Sequence, residues 1–307
     1  DLHREYQAII DMYHQDTAPV PIRAFFGDLL SRPLRRKQYP ITLIDNRINL
    51  DQLLAIHNAM KYPTAYIQGP PGTGKTNTII NTIVTAFFNE KTVLFASYNN
   101  HPISNVFEKL LELKYRGKPI PFPVLRVGNM DKVREAVQYI KNVYTQIQSV
   151  TVFESTLDRN KEGRAERAKR LSNLLKKYED LLDLKERQET LDRMMEYQSR
   201  LKATLEMVRV QADLQGRQLS QIRHRISTLG EITDAEALAL LENDQDELYK
   251  YLYYTSARYI KKLDEEKYKE LRHILFEEDP EKQAAVFNQY LSKTENIKKL
   301  QKIFPVI

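Results

Sequence analysis

Apolar positions along this chain follow two rhythms, and the change falls near residue 150. Up to Val127, short apolar runs alternate with segments of helical spacing. Thr64–Gln68, Thr92–Ser97 and Pro123–Val127 are rich in β-branched and apolar residues, which predicts strands, the first of them buried. Asn49–Met60, Thr78–Phe88 and Ile103–Lys114 carry apolar residues three and four apart, which predicts helices. Strands alternating with helices imply βαβ units and a parallel sheet.

From about Val150 to Lys302 the character is different. No proline occurs between Pro123 and Pro280, and Leu, Glu, Lys, Arg and Gln dominate. A spacing of 3–4 runs through Leu191, Met195, Gln198, Leu201, Leu205, Val208, Ala212, Gln215, Leu219, Ile222, Ile226 and Leu229, and earlier through Leu171, Leu174, Tyr178 and Leu181. Sustained over many turns with charged flanks, this is the pattern of a coiled-coil seam. Gly230 is expected to stop the helix, and Thr233-Asp234-Ala235-Glu236 has the form of a capping box that starts another. The expectation is therefore a helical hairpin, with its turn near Gly230, inserted as an arm into an α/β domain. A single straight helix over Leu157–Leu229 would reach about 100 Å at 1.5 Å per residue. Lys185 and Gln188 fall in the seam, so a break there is an equal alternative. The last residues, Lys302–Ile307, turn apolar again and predict a return to the sheet. The resulting division is an N-terminal accessory segment (1–45), an α/β domain (46–150), an inserted helical hairpin or stalk (151–302) and the return to the sheet (303–307).

Composition narrows the class. The 307 residues contain no cysteine, which excludes a disulfide framework and thiolate metal sites and suits a reducing, cytoplasmic location. No apolar run approaches the ~18–20 residues a membrane helix needs, so no membrane partner is expected. The first residue is Asp1 rather than Met, as expected of a piece of a longer protein. A formal charge of +6 is compatible with a polyanionic partner without requiring one.

Gly69-Pro70-Pro71-Gly72-Thr73-Gly74-Lys75-Thr76 matches GxxxxGK[ST] at every fixed position, between a predicted strand and a predicted helix. In that setting backbone N–H groups and the positive end of the helix dipole converge on phosphate. Lys75 is expected to reach the β- and γ-phosphates and the Thr76 hydroxyl to ligate Mg²⁺, with Asn77 extending the loop's contacts. ATP and Mg²⁺ are the expected ligands.

The flanking motifs discriminate among P-loop families. Gln52, in Ile48-Asn49-Leu50-Asp51-Gln52, lies 23 residues before Lys75 and resembles the Q motif of superfamily 1 helicases. A glutamine amide donates and accepts at once, as the adenine N6/N7 edge requires. Val93–Val106, with Ser97, Tyr98, Asn99 and Asn100 at its turn, resembles motif Ia of the UPF1-like (DNA2/NAM7-type) branch, and Leu125-Arg126-Val127-Gly128-Asn129 is similar to that branch as well. Tyr98 and the Asn pair depart from the commoner Pro-Ser-Asn, and Ser104 stands where the family often has Asp. The resemblance implies a first RecA-like domain, single-stranded DNA or RNA as partner, and backbone contacts from Ser97, Asn99 and Asn100. It also implies ATP hydrolysis coupled to movement along the strand.

Hydrolysis needs an acidic Walker B pair and an arginine finger. The nearest match to Walker B, Ile274–Asp279, has helical spacing before it and Asp279-Pro280 like a helix start after it. The chain is thus expected to bind nucleotide and to be hydrolytically incomplete by itself. Other readings stay open: an SMC- or Rad50-like ATPase with a coiled-coil arm, or a nucleotide-gated binding module; an AAA+ ATPase would need an apolar strand ending in Asp-Glu downstream of Lys75, and Arg116–Lys132 offers none. On the arm, Arg217, Arg223, His224 and Arg225 are expected close to the hairpin turn, with Tyr249, Tyr251, Tyr253, Tyr254 and Tyr259 nearby on the return path. Together they form a candidate surface for single strands. The alternatives are solvated arginines with tyrosines packed between helices, and an arm that docks a protein.

Overall fold

The computed structural model describes residues 2–27, 39–44, 47–200, 206–241 and 245–307. Among these residues the chain is mostly helical, and no helix is long and apolar enough to cross a membrane. Two short helices, α1 (Leu2–His14) and α2 (Val20–Phe25), open it without burying a side chain fully. Asp1, residues 28–38 and Asp45 of the accessory segment lie outside the described residues.

Next come α3 (Leu50–Lys61) and α4 (Lys75–Phe88), which pack against each other. Helix α4 is buried over much of its length, with Ile80, Ile83, Val84, Ala86, Phe87 and Phe88 in the core. Its polar face does structural work. Asn81, Thr85 and Asn89 recur every four residues, so they form one row along the helix. The row supplies the backbone of 40–44 with partners that a neighbouring strand would otherwise give. Thr85 Oγ1 accepts from the Thr42 N–H (3.1 Å) and donates to the Thr42 carbonyl (3.0 Å), Asn81 Oδ1 accepts from Ile44 N–H (2.8 Å), and Asn89 Nδ2 donates to the Pro40 carbonyl (2.8 Å). Ile41 and Leu43 can then enter the core without leaving buried amides unpaired.

Helix α5 (Asn100–Leu111) leads to a tight hairpin of β1 (Lys114–Tyr115) and β2 (Lys118–Pro119), turned by Arg116 and Gly117 with positive φ. Beyond it, α6 (Met130–Ile147) presents Val133, Val137, Ile140 and Ile147 to the largest core cluster. The extended segments around Val93 and Val124 both bridge to Val306, in parallel. Val93 N–H donates to Pro305 O (2.7 Å), Ile307 N–H to Val93 O (2.9 Å) and Leu125 N–H to Val306 O (2.9 Å), so Pro305–Ile307 lies between the other two.

Thr64–Gln68 differs from the buried strand expected of it. The segment is extended, but among the described residues no backbone hydrogen bond joins it to another, and Tyr66 is 88% exposed. Composition records a capacity for burial, not the burial itself.

The arm is a hairpin of α7 (Glu154–Arg200) and α8 (Glu206–Leu229). Forty-seven residues at 1.5 Å give α7 a length of about 70 Å. It runs unbroken past Lys185 and Gln188, because Leu184 takes the buried position while Lys185 turns outward. Leu219 is buried in the seam, and Leu191, Met195, Ile222, Ile226 and Leu229 are half-buried there. Leu201 and Leu205 lie outside the described residues, as do the side chains of Gln198, Val208 and Ala212.

Helices α7 and α8 pack along each other with Asp192 against Arg223, and Gly230 lies beside Tyr178 and Leu181, so Gly230 is not at the hairpin's turn. A seam periodicity that continues through the turn carries no mark of where the chain doubles back. Gly230, with φ +72°, instead closes α8 at the arm's root. Thr233 and Glu236 form the expected capping box and start α9 (Asp234–Leu241). Residues beyond the hairpin pack on the body: α9 lies against α7, and α10 (Gln245–Lys261) lies against α6. Helices α11 (Lys269–Leu275), α12 (Pro280–Leu291) and α13 (Thr294–Leu300) complete the α6 cluster.

Thr85→Val keeps the shape of a side chain with no exposed surface and leaves both Thr42 backbone groups unpaired. Urea unfolding should show a loss of about 1–3 kcal/mol; a change below about 0.5 kcal/mol would mean that the row on α4 is not what holds 40–44.

Candidate nucleotide site

The glycine-rich loop ends at Gly74, which caps α4 with φ +77° and offers no side chain to its first turn. The helix therefore begins with uncapped amides, the arrangement an anion would complete. Gly72 also has positive φ, and a Cβ there would meet nothing within 4 Å. Gly69 is tighter, since a Cβ would stand 2.9 Å from Thr73 Oγ1 and 3.1 Å from Lys75 Cγ. These residues fit a bound polyphosphate: open space over Gly72, close backbone approach, and one cation. The Lys75 ammonium folds over the loop, donating to the carbonyls of Gly69 (2.5 Å) and Pro70 (2.8 Å). Pro70 also accepts from Thr73 Oγ1 (2.8 Å), while Asn77 reaches back to Arg47 O (3.4 Å). Pro71 is exposed, and Thr76 sits half-buried in the first turn of α4.

Gln52 is brought directly against this loop. Asn49 caps α3, accepting from Gln52 N–H, while Gln52 Oε1 accepts from Asn49 N–H (3.1 Å); the glutamine's other end, Nε2, donates to Thr73 O (2.8 Å). The approach is close enough that a Cβ at position 74 would fall 2.6 Å from Gln52 Nε2. Glycine at 74 is thus required twice, by its backbone angle and by its neighbour.

Ser97, Asn99 and Asn100 lie together in the exposed turn leading into α5, with Asn99 N–H donating to Ser97 Oγ (3.3 Å) and Tyr98 fully exposed. Ser104 accepts from the Arg126 guanidinium (2.8 Å), tying the turn's helix to the segment around Val124. The arginines of the arm are not gathered at its turn. Arg217, Arg223 and Arg225 are spread along the exposed shaft, and Arg223 is paired with Asp192 (3.2 Å). The tyrosines of α10 pack between elements of the body, the second of the two readings the sequence allowed: Tyr253 and Tyr259 are buried, Tyr251 stacks on Phe88, and Tyr249 donates to Ile44 O. Ile274–Asp279 has the local form its spacing predicted. Ile274 and Leu275 end α11, and Asp279 caps α12 by accepting from the Glu281 and Lys282 amides.

Sequence reasoning did not find the groups that hold the site from the arm side. Asp234 Oδ1 accepts from Leu50 N–H (2.7 Å), and Tyr178 donates to Asp51 Oδ1 (2.7 Å). At the other end of α4 the Arg164 guanidinium lies over Phe88 (4.8 Å) and Tyr251 (5.7 Å) and donates to Thr42 Oγ1; burial holds its pKa below the ordinary range. His57, on the buried face of α3, has its pKa lowered to about 4, by burial first and by the nearby Lys61 second.

That histidine gives a pH dependence. Between pH 6.5 and about 4 the unfolded chain binds a proton that the folded chain excludes, so His57's contribution is intact above pH 6.5 and falls as pH drops. The full loss is on the order of 3 kcal/mol. Denaturant unfolding at pH 7 and pH 4.5 should show it, and His57→Gln should flatten this part of the profile.

The chain matches the family model described as "AAA domain" over residues 47–297. It is 30% identical over 128 residues to "DNA-binding protein SMUBP-2" of Mus musculus, covering 41% of this chain and 12% of that protein. To "Uncharacterized ATP-dependent helicase MJ0104" of Methanocaldococcus jannaschii it is 31% identical over 140 residues, covering 43% and 20%. The figures for "DNA replication ATP-dependent helicase/nuclease JHS1" of Arabidopsis thaliana are 36% over 97 residues, 31% and 7%. The matches thus take in a fifth or less of each relative's length. No solved structure matches the chain. With a family match that takes in the loop, Gln52, the motif Ia segment and the arm alike, the chain belongs to this AAA-domain family and, by its relatives, to the UPF1-like branch of superfamily 1 helicases.

Proposed function

We propose that this chain is the ATP-binding motor domain, the first RecA-like domain, of a cytoplasmic superfamily 1 DNA or RNA helicase that couples ATP hydrolysis to movement along single-stranded nucleic acid. In this reading 46–150 and 303–307 form the RecA-like unit with its parallel sheet. Residues 151–302 are inserted into it, the coiled-coil hairpin being one part of the insertion. The observation that carries the proposal is the contact of Gln52 with the Thr73 carbonyl beside the Lys75 loop. The relatives named as ATP-dependent helicases support it.

The chemistry of the loop follows. Phosphate oxygens compete with the Gly69 and Pro70 carbonyls for the Lys75 ammonium, and a charged acceptor makes the stronger bond. The first-turn amides of α4 and the backbone of Gly69–Gly74 take the remaining oxygens, and the Thr76 hydroxyl holds Mg²⁺. Gln52 uses one N–H and one oxygen lone pair within the protein, leaving one of each for an adenine edge. The Asp279 carboxylate is engaged as a helix cap, so this chain by itself binds Mg·ATP and turns it over poorly.

Titration calorimetry tests this. Mg·ATP should bind, and Lys75→Ala should abolish binding; unchanged affinity in that variant would refute the P-loop assignment. Gln52→Ala should weaken ATP more than GTP, by about 1–2 kcal/mol for one or two lost hydrogen bonds.

Ser97, Asn99 and Asn100 are proposed to contact the phosphate backbone of a single strand, with Arg217, Arg223 and Arg225 guiding it along the arm. Each phosphate contact contributes about 0.7 to the salt slope of single-strand affinity. Reversing the three arginines to Glu should lower both affinity and slope, measured by fluorescence anisotropy over a salt series. If the folded variant keeps both, the arm is a scaffold or docks a protein.

A further inference from the structure

The first turn of α3 is held from outside at three successive residues. Its first N–H, on Leu50, goes to the Asp234 carboxylate at the start of α9 (2.7 Å). The Asp51 carboxylate takes the phenol of Tyr178, on the shaft of the arm (2.7 Å). Gln52 comes next and donates to the P-loop carbonyl of Thr73 (2.8 Å). A helical turn is stiff on this scale, since its backbone bonds fix the relative placement of adjacent residues. What the arm root does to Leu50 and Asp51 is therefore passed to Gln52 and from there to the loop.

The same root is clamped to the nucleotide-binding unit in two further ways. Leu171 and Leu175 of α7 and Ala237 and Leu241 of α9 share one buried cluster with Leu53 and Ile56 of α3. At the far end of α4 the Lys161 ammonium meets Glu90 (2.9 Å), one turn of α7 from the half-buried Arg164 that lies over Phe88. Tyr178 keeps its proton, being pushed up to about 12 by burial and by Asp51, so it stays the donor in this contact at any working pH. The polar contacts add direction to a joint that the apolar cluster already closes.

Resting on the nucleotide reading above, we propose that Asp234 and Tyr178 are positioning residues for ATP, setting the first turn of α3 so that Gln52 holds the P-loop and presents its free amide edge to the base. The arm is on this account part of the nucleotide site's support, and not only an appendage.

The test is calorimetric binding of Mg·ATP and Mg·GTP to the 307-residue chain, with folding checked by circular dichroism and thermal melting. Tyr178→Phe and Asp234→Ala should each weaken ATP by roughly three- to tenfold, the effect of one lost positioning hydrogen bond, and should reduce the preference for ATP over GTP. Asp234→Asn keeps an acceptor for the Leu50 amide and should restore most of the affinity. Glu189→Gln, out on the shaft, should bind as the unsubstituted chain does. In a Gln52→Ala background Tyr178→Phe should cost nothing more, because the residue through which it acts is gone. Affinities unchanged in Tyr178→Phe and Asp234→Ala while Lys75→Ala abolishes binding would overturn the inference and leave the nucleotide site standing. So would losses that persist undiminished without Gln52. A chain that binds no Mg·ATP in the first place overturns the nucleotide reading and this inference with it.

Discussion

Helix α4 carries two opposite demands, and the rest of the architecture is arranged around them. Its N-terminus is left open, because Gly74 offers the amides of the first turn no side-chain cap, and an anion would complete it. Its C-terminus must be closed, because Phe87 and Phe88 anchor it deep in the core. The closing groups suit the negative end of a helix dipole: Asn89 takes up the Thr85 and Pro40 carbonyls, and the Arg164 cation lies over the Phe88 ring. A guanidinium drawn partly out of water is costly unless something replaces that water. Here two aromatic faces and a threonine hydroxyl do so, and the result ties the base of the arm to the helix that begins at the P-loop.

The parts of this arrangement that could be read in the sequence are those whose physics is local. The glycines of the loop, the capping box at Thr233–Glu236 and the Asp279-Pro280 helix start each state their geometry within a few residues, and the structure has the two caps in that form. Gln52 was legible only by its spacing from Lys75, and the contact with Thr73 gives that spacing a physical meaning. The position of the hairpin turn was not legible. A seam repeats the same signal on both sides of a reversal, and the one helix breaker in view, Gly230, marks the root of the arm. The α10 tyrosines were open to two readings for a related reason. A phenol on a helix has the same one-letter signature whether it faces solvent or stacks on Phe88, and only the fold decides.

What escaped altogether was side chain serving backbone. Asn81, Thr85 and Asn89 look, in sequence, like a weak polar interruption of a good helix, since such residues favour caps and turns over helix interiors. Their row is what lets 40–44 lie in the core without a strand beside it. Asp234 and Tyr178 escaped in the same way. Each sits more than 120 residues from its partner on α3, and neither motif nor periodicity encodes such a pair.

The arm's two footholds fall at the two ends of the same unit. At one end Asp234 and Tyr178 reach the first turn of α3, beside the loop; at the other, Lys161 and Arg164 reach the tail of α4. A helix about 70 Å long, held at both ends of this unit, cannot change its tilt without altering at least one of these contacts. Linkage makes the relation reciprocal: whatever free energy nucleotide binding gains by favouring one tilt, a strand or protein on the shaft that favours the same tilt returns to nucleotide affinity in equal measure. Distance along the arm does not weaken that argument, since it concerns free energies of whole states. Any such coupling would pass through the root, where Leu171 and Leu175 of the arm share one apolar cluster with Leu53 and Ile56 of α3.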